Sequence, residues 1–331
     1  MNNSDTKFAL TRKVILYTLP ILAVVGITAP LIFGQSNISL LAIYLAIPMF
    51  FAPIIYLKYC RCPYKPINQD KQLFLLLLIT YFLCFSISIL LLYLFEVRPF
   101  AYYALITVMA TAILFEILLF NISEKKTVVI LLQIMMLCLN IIWGVSLKYY
   151  YFIGRTDALA HAWFIDNLIN SGYVTDIFLM YKPFPLWHIL CCFLYEILGI
   201  SVSAHKIMFF VNGLIFSFMI IMVYLVSLKI FKNKNFALLS SLFVSFFPIF
   251  IFYGMYSISR SVVSFLEVML ILLLLDSKDI KKMLLAITLT FVIVVYHPAS
   301  IPFIILILLM IKGFQKIYGV EKEKKILTSN G

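Results

Sequence analysis

Charge is scarce in this sequence. Only 12% of the 331 residues are charged, 64% are hydrophobic, and the mean hydropathy is +1.08. A soluble domain carries roughly twice that share of charge. Water cannot cover a surface so poor in charge, so lipid is the expected solvent for most of the chain. Disulfide chemistry is lacking too. Of the cysteines Cys60, Cys62, Cys84, Cys138, Cys191 and Cys192, four fall inside apolar runs, and Cys60-Arg-Cys62 sits in a basic loop. A lone C-x-C with no further ligand spacing is a weak metal signal. There is no repeat period and no low-complexity tract. Acids are fewer than bases, 14 against 26, for a net charge of +12. That excess does not point to nucleic acid, because the basic residues lie in short clusters between apolar runs, the pattern that orients membrane loops.

What is abundant is long apolar sequence. A membrane span needs roughly 17–25 such residues. The run 14–33 is longer than a cleavable signal core, which predicts a retained first span. Further runs lie at 38–57, 73–95, 99–120 and 127–147. A polar interruption at 148–182 follows, and then runs at 183–199, 205–228, 236–253, 260–275, 283–296 and 299–313. The segment 183–199 holds Pro183, Pro185, His188 and Glu196, and loop charge decides how it is read. If it dips in and returns, 20 basic residues face the cytosol and 6 face out; if it crosses, the split is 11 against 15. The positive-inside rule favours the first arrangement. The expectation is an all-α polytopic transmembrane bundle of about ten spans, with one re-entrant or interfacial helix and an external juxtamembrane helix. Both termini would be cytosolic in a cell-membrane protein.

This topology gathers unusual polar residues on the outer side. Within 148–182, Thr156 or Asp157 is suited to cap a helix that Gly172 would close. Asp157 and His161, four residues apart, share a face of that helix. The pair allows two readings: a plain N-cap beside a solvated histidine, or a carboxylate and imidazole able to move a proton or hold a divalent metal. Arg155, Lys182 and Arg260 lie on the same side, and Arg suits phosphate. His188 and His297 also fall near this side. Glu96, Glu116, Glu196 and Glu267 lie in or beside apolar runs, where burying an acid is costly.

The order of parts, GRTDALAHAWFIDNLINSGYV, then YKPFPLWHIL leading to LGIS, then LVSLKIFKNKN, then FFPIFIFYGMYSISRS, resembles the GT-C superfamily of membrane glycosyltransferases. That superfamily includes oligosaccharyltransferase, protein mannosyltransferase and aminoarabinose transferase enzymes. The resemblance covers roughly 127–313, leaving 1–126 as a four-span N-terminal addition and 314–331 as a basic cytosolic tail. It implies an inverting glycosyltransferase of the cell envelope, moving a sugar from a polyprenyl-phosphate donor to an acceptor on the outer face. Asp157 would be the base, with His161 orienting it or helping to hold a divalent metal. Arg155, Tyr181, Lys182, His188, Arg260 and His297 would bind substrate. The D-x-D or D-x-E that some members carry is missing after Pro248. Other readings are a lipid-linked-sugar transporter, an accessory membrane subunit interacting with membrane lipids, or an O-antigen-polymerase-like enzyme.

Overall fold

A computed structural model describes residues 71–144, 156–199, 203–275 and 280–309, with scattered positions between 20 and 51. The chain forms two compact units, Met1–Lys65 and Pro66–Gly331. In the first, several of the scattered positions are helical, and the spans expected at 14–33 and 38–57 lie largely outside the described residues. The tail 314–331 lies outside them as well.

The second unit is all α. Its helices are α1 (Lys71–Leu94), α2 (Phe100–Leu119), α3 (Glu124–Trp143), α4 (Thr156–Ser171), α5 (Leu186–Leu198) and α6 (Ala204–Phe231). They continue with α7 (Lys234–Val244), α8 (Pro248–Met255), α9 (Ser259–Leu274) and α10 (Ile280–Tyr296). Local signals explain several boundaries. Ser123 caps α3, accepting from Lys126 N at 3.4 Å, and Glu124 adds a negative charge at the positive end of the helix. Lys232 in the left-handed conformation ends α6, and Asn233 then caps α7 through Phe236 N at 3.0 Å. Pro248 opens α8, whose axis turns 60° from α7.

Four helices among the described residues are long and apolar enough to cross a membrane: α1, α2, α3 and Lys206–Phe231 within α6. A fifth crossing results if the bent pair α7–α8 counts as one. The chain is a multi-pass membrane protein. The expectation of about ten spans is overturned. Apolarity alone suggested them, but length decides. A hydrocarbon core about 30 Å thick needs about 20 residues at 1.5 Å each. The run 236–253 breaks into helices of 11 and 8 residues, and α5, α9 and α10 have 13, 16 and 17.

The long α6 packs against α3, α4, α5, α7, α8 and α9, so it joins the α1–α3 bundle to the later helices. At its crossing with α3 the backbone of Gly213 lies under the Trp143 indole, and a Cβ there would overlap the ring. Trp143 in turn stacks on Phe210 at 5.1 Å. Gly213→Ala is therefore expected to destabilise the protein by about 1–3 kcal/mol through overpacking. Thermal unfolding in detergent measures this, and an unchanged midpoint would mean that the two helices do not approach so closely.

Polar side chains also tie the first three helices together. Asn140 donates to Ser88 Oγ at 2.7 Å and accepts from Tyr102 Oη at 2.9 Å, while Arg98 donates to the Ile141 carbonyl at 2.6 Å. Such contacts link helices in lipid, where apolar burial adds little driving force.

Candidate functional site

The polar cluster is built where α4, α5, α8, α9 and the end of α10 meet. Helix α4 runs from Thr156 to Ser171 and is closed by Gly172, whose φ is +74° and whose N–H donates to the Leu168 carbonyl at 2.9 Å. Its inner face carries Ala162 and Ile165 into an apolar cluster with Trp187 and Cys191 of α5 and Ile207 and Met208 of α6. That packing buries His161 on α4 and His188 on α5, which meet through Nδ1 and Nε2 at 2.8 Å. Tyr181 closes over both rings, its centroid 4.9 Å from that of His161 and 5.8 Å from that of His188.

Two imidazoles in hydrogen-bond contact cannot both be protonated, since one must accept. Burial pushes His161 down to about 4, with Asp157 pulling the other way and His297 adding to the fall. Burial likewise pushes His188 down to about 3, assisted by His161 and opposed by the Pro185 carbonyl. Both rings are neutral at physiological pH. His188 Nδ1 faces that carbonyl without a well-formed hydrogen bond.

Around this pair, Asp157 is exposed at the head of α4 and accepts a hydrogen bond from Tyr256 Oη at 3.0 Å, across 99 residues of chain. His297 bonds Ser300 Oγ through Nδ1 at 3.2 Å, and burial together with the neighbouring Arg260 charge lowers its pKa. Arg260 stacks on Tyr253 and Phe303, at 5.4 and 5.9 Å from the ring centroids. It has no carboxylate within ion-pair distance among the described residues. Arg260 and Ser300 also wall a cavity of about 330 Å³ between α6, α8, α9 and the segment after Pro298. The rest of that wall is largely apolar and aromatic, including Phe216, Phe247 and Phe250, and Glu267 is its one acid.

Asp157, His161, Tyr181, His188, Arg260 and His297 thus lie in one region. Lys182 does not join them; it pairs with Asp176 on its own turn, both side chains exposed. Arg155 and the His205 side chain lie outside the described residues. Three participants escaped the sequence reading: Tyr256, Tyr253 and Phe303. The two tyrosines stand in the run FFPIFIFYGMYSISRS, but nothing local marks either as a partner of Asp157 or Arg260.

No family model, curated protein or solved structure matches this chain. The resemblance to GT-C glycosyltransferases is therefore withdrawn. It rested on the order of short Asp, Tyr-Pro and Ser-Arg elements, and each is common at helix ends of apolar proteins. Glycosyl transfer from a polyprenyl-phosphate donor falls with it. The described helices do not build the large polytopic enzyme that the resemblance implied. No group of three or more His, Cys, Asp or Glu among the described residues could hold a metal. Asp157 is engaged by a tyrosine, and the imidazole one turn on is turned inward to His188.

Proposed function

We propose that this protein binds an amphipathic anion, with the charged end at Arg260 and the apolar part in the adjoining cavity. The observation that carries this reading is the Arg260 guanidinium, held by two aromatic rings at the mouth of an apolar cavity and in no ion pair with a described carboxylate. A guanidinium offers five donors in a planar fork, which suits a carboxylate or phosphate. Stacking on Tyr253 and Phe303 fixes its plane, so little freedom is lost when a ligand arrives. Glu267 stands two turns further along α9, about 10 Å away by helical rise. The wall between them is apolar and aromatic, so the anionic end stays at Arg260 and the chain end enters first.

His161, His188 and Tyr181 act in this reading as a rigid neutral wall that seats α4 beside the mouth. Asp157 and Tyr256 pin the head of that helix, and His297 holds Ser300 at the rim. The ligand class includes the membrane's own acidic lipids. The orientation follows from charge. Glu124 and Lys234 pair at one end of the bundle, where Lys125, Lys126, Lys229 and Lys232 also lie, and we place this end in the cytosol. With the bent pair α7–α8 counted as one crossing, Arg260 then opens toward the outer leaflet of a cell membrane.

Native mass spectrometry of the protein purified in mild detergent tests the reading. The wild type is expected to retain an acidic lipid or fatty acid that Arg260→Gln loses. Equal retention by both would eliminate the proposal.

A further inference from the structure

A second feature lies in the α1–α3 bundle, away from the Arg260 cavity. Glu116 of α2 has no exposed surface. Its Oε1 accepts a hydrogen bond from Gln133 Nε2 of α3 at 3.1 Å. Gln133 is itself buried, and its backbone carbonyl accepts from Tyr81 Oη of α1 at 2.7 Å. Two oxygens remain: Glu116 Oε2 and Gln133 Oε1 are both buried, and neither has a donor.

Among the described residues, no ion pair includes Glu116. From α1 the ionisable group facing the carboxyl is Tyr81. From α3 the carboxyl meets the amide of Gln133, which carries no charge, and from α7 Asn235 donates to the next residue's carbonyl, that of Ile117, at 2.6 Å. At the nearby end of the bundle Lys126 rests over the rings of Phe74 and Phe120, 5.0 Å from each centroid, and Lys71 and Lys125 are exposed.

An ionised Glu116 would be an uncompensated charge in an apolar wall, a costly state. It would also leave two acceptor oxygens, one on each side chain, with nothing to accept. A single proton on Oε2 removes both faults. The acid becomes neutral, and its O–H can donate to Gln133 Oε1. With the existing Nε2–H···Oε1 bond, that closes a reciprocal acid–amide ring. We propose that Glu116 and Gln133 form an intramembrane proton-binding site, with Glu116 held as the carboxylic acid at neutral pH and Gln133 as its selective partner. A monovalent metal ion seated between the same oxygens is the rival occupant. The carboxamide favours the proton, because a metal ion would require more oxygen ligands than the two left free.

Infrared difference spectroscopy on the full chain in lipid nanodiscs at pH 7 tests this. The wild type minus Glu116→Gln spectrum is expected to show a protonated carboxyl C=O band, displaced in wild type minus Gln133→Leu. Carboxylate bands in its place would overturn the proposal. Glu116→Gln mimics the neutral acid and keeps an amide pair, so its thermal midpoint should match wild type; failure to fold counts against the proposal. The wild-type midpoint should also be the same in sodium, potassium and choline chloride. A sodium- or potassium-specific rise would assign the site to a cation instead.

Discussion

Acidification is expected to loosen the contact between α4 and α5. Above pH 6.5 both His161 and His188 are neutral in the folded and the unfolded chain, and their contribution to stability is fully present. As pH falls below 6.5, the unfolded chain takes up protons that the buried pair refuses, and stability falls. Burial holds His161 near 4 and His188 near 3, so the loss runs through this window and levels off below it. The cost is on the order of 3 kcal/mol for His161 alone by pH 4, and the two sites do not simply add, because each opposes protonation of the other. A domain stable by only about 5–15 kcal/mol would show this clearly. Thermal midpoints between pH 7.5 and 4, compared with His161→Gln, measure it. The wild type should drop steeply across the window and the variant should drop less. Parallel curves would place the histidines in water.

Removing Trp187 is expected to be as damaging. The side chain is fully buried at the start of α5, where it packs with Ala162 and Ile165 of α4, Ile207, Met208 and Val211 of α6, and Val262 of α9. Trp187→Ala leaves a cavity among four helices and should cost about 3–5 kcal/mol. Trp187→Phe should cost much less. It keeps most of the apolar volume and removes an indole N–H that has no acceptor in the structure. Denaturant unfolding monitored by circular dichroism separates the two. Equal midpoints for both variants would mean that α5 is not anchored through this ring.

Some of this architecture was legible in the sequence. The runs read as spans at 73–95, 99–120, 127–147 and 205–228 correspond to α1, α2, α3 and α6, because each is both apolar and long. Gly172 marked the end of α4, since a left-handed residue there favours glycine. The later helices were misjudged because hydropathy sums composition, whereas crossing needs unbroken length. Pro248 divides the run 236–253, which looked continuous. For the site, the histidines and Arg260 stood out as polar residues in apolar surroundings. Their pairing did not, because His161 and His188 are 27 residues apart and Tyr256 and Asp157 are 99 apart. Those contacts depend on how α4 packs against α5 and α8, which no local pattern specifies. The D-x-x-x-H spacing left open a capping pair, a proton-moving pair or a metal-holding pair, and the helix turns His161 inward while leaving Asp157 at the surface. Shared periodicity gives a common face only to within a quarter turn, and burial separates its members.

The most direct test of ligand binding at Arg260 is an equilibrium isotherm with radiolabelled oleate on purified protein in non-ionic detergent. Hydrogen bonds to a charged group are worth about 1.5–3 kcal/mol, which corresponds to a roughly 10–100-fold change in affinity. Saturable one-site binding is expected for the wild type and for Lys182→Gln, with Arg260→Gln weaker by that factor and methyl oleate failing to compete. Absence of saturable binding, or equal affinity in Arg260→Gln, would contradict it.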